Sequence, residues 1–229
     1  MTYLWQAVVS AFRLILTLDR EILAITLTSL RISILAILLA SAVGVPAGFL
    51  VGISAFTGRG VIITVLNTLM ALPTVVVGLF GYAFISRRGP LGPLELLFTP
   101  TAMMIGQWVL ATPIIMNLTI SATQSLDPRV RRTATVLGAN PWQSAITVLS
   151  EARFALIAAI VAGFGRVIGE VGASMMLGGN IKGYTRNLPT AIALETSKGE
   201  FGFGMALGII LMSVALGVNA LLHFLQNKR

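Results

Sequence analysis

Long apolar runs separated by short polar breaks dominate this chain. After Arg31 an uncharged stretch continues to residue 57, and further runs cover 61–86, 101–126, 154–177 and 201–222. Each meets or exceeds the roughly 20 residues a helix needs to cross hydrocarbon, so the pattern predicts five membrane spans. Gly44, Pro46, Gly48 and Gly52 weaken the second half of the first span. Asn67 and Pro73 interrupt the second, and Gln107, Pro113 and Asn117 the third. In lipid such residues serve as kinks, close-packing points and interhelical hydrogen bonds, or they line a path; the residues themselves leave both roles open.

The first 25 residues have a different periodicity. Leu4, Val8, Ala11, Ile15 and Leu18 share one helical face, while Gln6, Ser10, Arg13 and Thr17 share another, which predicts an amphipathic helix lying in the interface. A signal peptide is the competing reading, but no small-residue cleavage site follows and the next apolar run begins almost at once. The chain therefore divides into an interfacial segment 1–25, a spanning region 26–222 and a basic tail 223–229. His223, the lone histidine, reads as an interfacial residue at the end of the last span.

The longest polar passage, residues 127–143, reads as two short helices in water. Asp127 is a good N-cap with Pro128 at the first helical position, and Gly138 suits a C′ residue, so the first helix is expected over 128–137. Asn140 then caps a second start, with Pro141 next and Gln143 three residues on, as in a capping box. Val130, Ala134 and Leu137 form a narrow apolar stripe, and Arg129, Arg131 and Arg132 point elsewhere. Such a segment is either a solvated connector or a plug that docks into a partner, since a helix this short does not stand alone.

The fourth run carries the only charges clearly inside an apolar helix, Arg166 and Glu170, which must face protein or water. Their i, i+4 spacing allows a self-contained pair; the alternative is a gate or an anion-attracting ring formed with a second copy. Gly165, Gly169 and Ala173 are spaced as a packing face, and Gly163 and Gly172 thin the helix further.

Composition agrees with a membrane protein. Hydrophobic residues make up 56% of the 229 and charged residues only 10%, with a formal net charge of +8, whereas soluble domains hold about 25% charged residues. The basic residues lie in the breaks and stacking aromatics are few, so nucleic acid is not an expected partner. Without cysteine there is no disulfide or thiolate metal site. The absence of a G-x-x-x-x-G-K-[ST] loop, and a lone His among scattered acids, give neither a phosphate cradle nor a metal cage, so no enzyme activity and no cofactor are expected.

Gly138, Ala139, Pro141, Trp142 and Gln143 resemble the cytoplasmic loop of ABC importer permeases, in which a Glu-Ala-Ala segment precedes the Gly. Here Arg132 and Thr133 stand where Glu and the first Ala are usual, Ala134 keeps the second Ala, and Ser150 and Glu151 replace the closing Leu-Pro. ALPTVVVGL (71–79) and RVIGEVGASMMLGGN (166–180) are similar to stretches of the molybdate, sulfate and tungstate permeases, and RNLPTAIALETSKGEF (186–201) looks most like the tungstate branch. The resemblance covers most of the chain from about residue 26. It implies an all-α polytopic membrane protein with the type I ABC importer transmembrane fold. It also implies that Arg129, Val130, Arg132, Ala134, Leu137, Gly138, Ala139, Asn140, Pro141 and Trp142 dock on an ATP-binding subunit. Arg166, Gly169, Glu170 and Gly172 would then lie on the translocation path or its gate. The implied partners are a second copy of this chain, two ATP-binding subunits that hold ATP and Mg, an extracytoplasmic oxyanion-binding protein and the lipid bilayer. The implied cargo is tungstate first, with molybdate or sulfate as the alternative.

The same resemblance implies a prokaryotic inner membrane and a cytoplasmic central loop, hence the first residue outside and the last inside. Charge alone does not orient the chain. Arg59, Arg129, Arg131, Arg132, Arg153, Lys228 and Arg229 fall on the inner side, and Arg13, Arg20, Arg87, Arg88, Lys182, Arg186 and Lys198 on the outer, seven against seven. The outer set suits an anionic solute. The rival class, an ATP-independent secondary transporter or channel, favours internal repeats with broken helices at matching positions, and no convincing repeat is present.

Overall fold

A computed structural model describes residues 2–17 and 19–227. Met1, Leu18, Lys228 and Arg229, part of the expected interfacial face and basic tail, lie outside the described residues, as do the side chains of Leu4 and Gln6. The described chain is all-helical, in the order α1 (Thr2–Leu16), α2 (Arg20–Ile53), α3 (Arg59–Met70), α4 (Thr74–Ile85), α5 (Pro100–Gln124), α6 (Pro128–Val136), α7 (Pro141–Ile168), α8 (Gly172–Gly178), α9 (Leu188–Lys198) and α10 (Phe201–Asn227). Four of these (α2, α5, α7 and α10) are long and apolar enough to cross a membrane. The pair α3 and α4 is the fifth candidate, bent by 95° at its break.

Four expectations change. The first span starts at Arg20, not after Arg31, because Asp19 caps α2 by accepting hydrogen bonds from the Glu21 and Ile22 amides at 2.8 and 3.2 Å. Arg31 sits on the exposed side of that helix, and a single charge on an outward face does not stop a helix. The second span is two half-helices meeting at Ala71–Pro73, where Pro73 withholds the amide that would continue α3. The fourth span breaks at Gly169–Val171. The polar loop 178–200 contains α9, whose capping box joins Asn187 and Thr190.

Glycine sets how closely the spans approach. Gly44, Gly48 and Gly52 of α2 lie against Ile115 and Met116, Met116 and Thr119, and Thr123 of α5, in step along two parallel helices. At the seam between α2 and α5, a Cβ added at Gly163 of α7 would come within 2.9 Å of Ile115 Cγ1 and 3.4 Å of Ile37. Buried Ile37, Ala40, Ala111, Ile115, Phe164 and Val167 fill the space between α2, α5 and α7. Pro46 and Pro113 remain inside unbroken α2 and α5, which neighbouring helices make tolerable.

A second layer joins α1, the start of α2, α9 and α10 through Ala11, Ile22, Ile25, Leu188, Ala191, Ala206 and Leu207. Its polar edge is an ion network. Glu21 of α2 meets Lys182 at 2.7 Å and Arg186 at 3.5 Å, and Glu195 of α9 meets Lys198 at 2.9 Å and Arg186 at 3.7 Å.

A close approach of α2 to the α5 backbone gives a direct test. A Cβ at Gly48 would sit 2.5 Å from the Met116 carbonyl oxygen, which is backbone and cannot swing aside, whereas a Cβ at Gly208 meets nothing within 4 Å. Gly48→Val is expected to destabilise the purified protein by about 1–3 kcal/mol, the usual cost of overpacking, and Gly208→Ala to leave its thermal unfolding temperature unchanged. Equal unfolding temperatures for both variants would contradict this packing.

Candidate functional site

The two helix breaks meet. Beside Gly172, at the start of α8, stand Thr74 and Val75, the first residues of α4: a Cβ at Gly172 would lie 3.0 Å from Thr74 Oγ1 and 3.2 Å from the Val75 amide nitrogen. One turn further along, Gly78 of α4 is equally close to the Ala173 backbone. ALPTVVVGL therefore spans one break and RVIGEVGASMMLGGN the other. Both lie beside the middle of α5, where Gly106 contacts Leu177 of α8.

Glu170 holds this junction together. Its residue is 3% exposed. Oε2 accepts from Arg166 Nη1 at 3.3 Å, and Oε1 accepts from the Ala173 amide at 3.1 Å, satisfying a first-turn donor of α8. The i, i+4 pair forms even though α7 ends between its members, because the Gly169 turn keeps near-helical angles, φ −92° and ψ 10°. The Arg166 side chain is 40% exposed. Gly165 and Gly169 beside it face open space, while Ala173 is buried at 1%. The expected Gly165–Gly169–Ala173 packing face is thus divided by the break: the two glycines open outward with Arg166, and Ala173 and Gly172 turn inward against α4.

Polar groups also appear on the exposed side of α3. Asn117 of α5 donates to Asn67 Oδ1 at 2.7 Å and contacts Met70 Sδ at 3.2 Å, tying α5 to the end of α3 just before the break.

The second feature is the polar passage after α5. Asp127 Oδ1 accepts from the Arg129 amide at 2.8 Å, and α6 closes with Gly138 at φ 87°. The Ala139 amide bonds the Ala134 carbonyl and the Gly138 amide the Thr135 carbonyl, both at 3.0 Å, the pairing of a Schellman motif. Asn140 and Gln143 form a complete capping box, but the helix it starts is not short: α7 continues from Pro141 to Ile168, so the polar turn and the break around Gly169 are opposite ends of one rigid rod.

Of the residues read as a docking surface, Arg129, Arg132, Leu137, Gly138, Asn140, Pro141 and Trp142 are exposed and Val130 and Ala139 half-buried. Ala134 is corrected to an interior residue: it is buried at 9%, because α6 folds back on α7 and turns that side of the stripe inward. Two residues were missed. Val136 is 85% exposed, beside Leu137 at 81% and Trp142 at 74%, three apolar side chains presented where the chain leaves the spans. Arg131 donates to the Ile53 carbonyl at 3.3 Å, and Arg59 to the Gly52 carbonyl at 2.8 Å. These two cations satisfy C-terminal carbonyls of α2, Arg59 tying the start of α3 to it and Arg131 anchoring α6. The signal for Arg131 was the basic cluster itself; only the fold reveals which carbonyls it reaches.

A bundle of long apolar helices with a rigid, outward-facing polar turn at one end and two helix breaks meeting inside defines a polytopic membrane transport protein. The chain belongs to the family of binding-protein-dependent transport system inner membrane components, whose model matches residues 44–228. A probable anion ABC transporter permease of Haloferax volcanii is 42% identical over 205 residues, 87% of this chain and 88% of that one. The tungstate uptake system permease protein TupB of Peptoclostridium acidaminophilum is 38% identical over 228 residues, covering 100% of both chains. Among solved structures, a bacterial alginate ABC transporter in complex with its periplasmic protein superimposes with TM-score 0.77 at 18% identity, over 95% of this chain and 83% of that one. The MetNI methionine ABC transporter gives 0.72 at 15% identity, over 90% and 94%. The fold is that of type I ABC importer permeases, and the protein is a multi-pass inner-membrane permease subunit. Broken helices are therefore not a mark of secondary transport here.

Removing Arg166 alone leaves the Glu170 carboxylate buried with one backbone donor. Arg166→Ala is expected to lower thermal stability, and adding Glu170→Gln, which keeps an acceptor for the Ala173 amide without the charge, to restore much of it. The double-mutant cycle should give a coupling of about 0.5–3 kcal/mol. Additive losses would show that the two side chains do not act as a pair.

Proposed function

We propose that this chain is the permease subunit of an ATP-driven importer of a tetrahedral oxyanion, tungstate first, working as a homodimer. Two ATP-binding subunits and an extracytoplasmic binding protein complete the importer. The full-length likeness to a tungstate uptake permease supports the cargo. The single structural observation that carries the mechanism is the exposed apolar trio Val136, Leu137 and Trp142 on the Schellman turn. Three large apolar side chains in water at the end of a rigid helix are a docking surface, and in this arrangement the partner is the ATP-binding subunit. With them stand Arg129, Val130, Arg132, Gly138, Ala139, Asn140 and Pro141. ATP and Mg are held by that partner, and this chain carries no cofactor and no catalytic group.

Force applied at Trp142 passes along α7 without interruption to Arg166, at the junction with α4 and α8. Arg166, Gly169, Glu170 and Gly172 then control passage. Arg166 and the open faces of Gly165 and Gly169 line a watery path between two copies, and Glu170 keeps the guanidinium in place between transport events. The first residue lies outside and the last inside.

The test is ATP-dependent uptake of tungstate by proteoliposomes holding the complete complex. Gly138 has φ 87°, a conformation costly for a β-branched residue. Gly138→Val is expected to abolish coupled uptake and weaken co-purification of the ATPase, while insertion and yield stay normal. Wild-type uptake and co-purification in Gly138→Val would remove the coupling assignment; failure of the wild-type complex to take up any oxyanion would remove the function. In the same membranes, a reporter active only in the cytoplasm is expected to work after residue 229 and to fail within residues 178–200.

A further inference from the structure

The segment between α4 and α5, together with the end of α4, lines an open cavity away from the helix-break junction. Residues 86–99 are wound tightly by their own backbone: the Leu91 amide bonds the Phe84 carbonyl at 3.0 Å, and the Gly92 amide bonds the Gly89 carbonyl at 3.0 Å. The far end is pinned to α8, where the Phe98 amide donates to the Leu177 carbonyl at 2.8 Å. Glu95 and Phe98 have φ of 47° and 62°, left-handed for non-glycine residues, a strain that surrounding structure must impose. The cavity measures about 720 Å³ and is lined by Tyr82, Ser86, Arg87, Arg88, Glu95 and Phe98, among others.

Charges of both signs face this space without pairing. Arg87, Arg88 and Glu95 are exposed and make no side-chain hydrogen bond or ion pair among the described residues. The contrast lies on the ion network, where Lys182, Arg186 and Lys198 are all matched to glutamates. The cavity has an exposed apolar collar in Tyr82 at 39% and Phe98 at 41%, which line it, and Phe84, Leu91 and Leu94 are exposed on the same end of α4 and the segment that follows. It lies where one candidate membrane helix ends and the next begins, and the ends of membrane helices are where aromatic rings and lipid headgroups meet.

We infer that this cavity holds a phospholipid headgroup bearing both a phosphodiester and a primary ammonium, of the phosphoethanolamine type. Arg87, Arg88 and Ser86 supply donors for the phosphate oxygens, and the Glu95 carboxylate accepts from the ammonium. The apolar collar covers the glycerol and upper acyl chains. Size favours this occupant over a free oxyanion: a cavity of about 720 Å³ is within the range of sites for drug-sized ligands, far larger than a single tetrahedral ion. Charge favours it over a purely anionic headgroup, which would leave Glu95 unmatched and repelling. Through Phe98 the lipid would steady the end of α8 next to the helix-break junction.

The experiment is lipid retention by the complete transporter complex. It is equilibrated in nanodiscs with equal parts phosphatidylethanolamine, phosphatidylglycerol and phosphatidylcholine, then extracted in mild detergent and analysed by mass spectrometry. Phosphatidylethanolamine is expected to be retained over both others. Arg87→Gln with Arg88→Gln should lower its retention about tenfold, the order expected for losing a charge-assisted contact. Glu95→Gln, in a chain that still binds phospholipid, should erase the preference over phosphatidylglycerol. A parallel arm presents inorganic phosphate or tungstate to delipidated complex. Arginine-dependent binding of the free ion without selective lipid retention would overturn the proposal, as would equal retention of the three lipids or a lipid profile unchanged by the Glu95 variant.

Discussion

The junction where two interrupted helices meet depends on one carboxylate. Interrupting a helix inside a membrane leaves amides and carbonyls that lipid cannot satisfy, at a cost of several kcal/mol for each unpaired group. Glu170 meets that constraint by accepting from the Ala173 amide and from Arg166 together. The glycine at 172 then lets α8 lie against the start of α4 closely enough for their backbones to shield each other. With the carboxylate in place, α7 can end at Ile168 and α8 can start at Gly172 beside α4, which leaves α3 at 95°. The same arrangement leaves Arg166 half in solvent, so a structural need also places a cation on an open face.

The opposite end of α7 is governed by a related rule. The carbonyls at the end of α2 are satisfied by Arg59 and Arg131, which fixes α6 relative to the spans before any partner arrives. Here the turn is closed by a Schellman motif, locked by a capping box and continued as a rod of 28 residues. The mechanical link between the exposed turn and the helix-break junction is therefore covalent helix.

Much of this was legible in residues. Composition and run length reveal the membrane class, and Asp127, Gly138 and Asn140 predict the caps that form. Helix interruptions were harder. Pro46, Pro73 and Pro113 look alike in sequence, yet only Pro73 lies at a helix break; Pro46 and Pro113 sit where α2 and α5 pack against each other through Gly44, Gly48, Ile115 and Met116. Arg166 and Glu170 read as an in-helix pair; the break between them follows from Gly169, Gly172 and the neighbouring α4, which no local pattern shows. Ala134 is buried and Val136 exposed; apolar spacing identifies a face without saying what covers it. The helix α9 was overlooked although Asn187, Pro189 and Gly199 mark its start and end, since a polar stretch between spans invites reading as loop.

If the path runs between two copies of the chain, the open face beside the junction borders water. The protein has no cysteine, so a single introduced thiol reports without background. Gly169→Cys adds a side chain where no atom lies within 4 Å, and Leu216→Cys adds one on α10 at a residue 71% exposed. In the assembled transporter in membranes, a charged, water-soluble thiol reagent is predicted to modify Gly169→Cys and to leave Leu216→Cys unmodified. Protection of Gly169→Cys, with labelling of Leu216→Cys at the same depth, would place the open face in lipid and the path elsewhere.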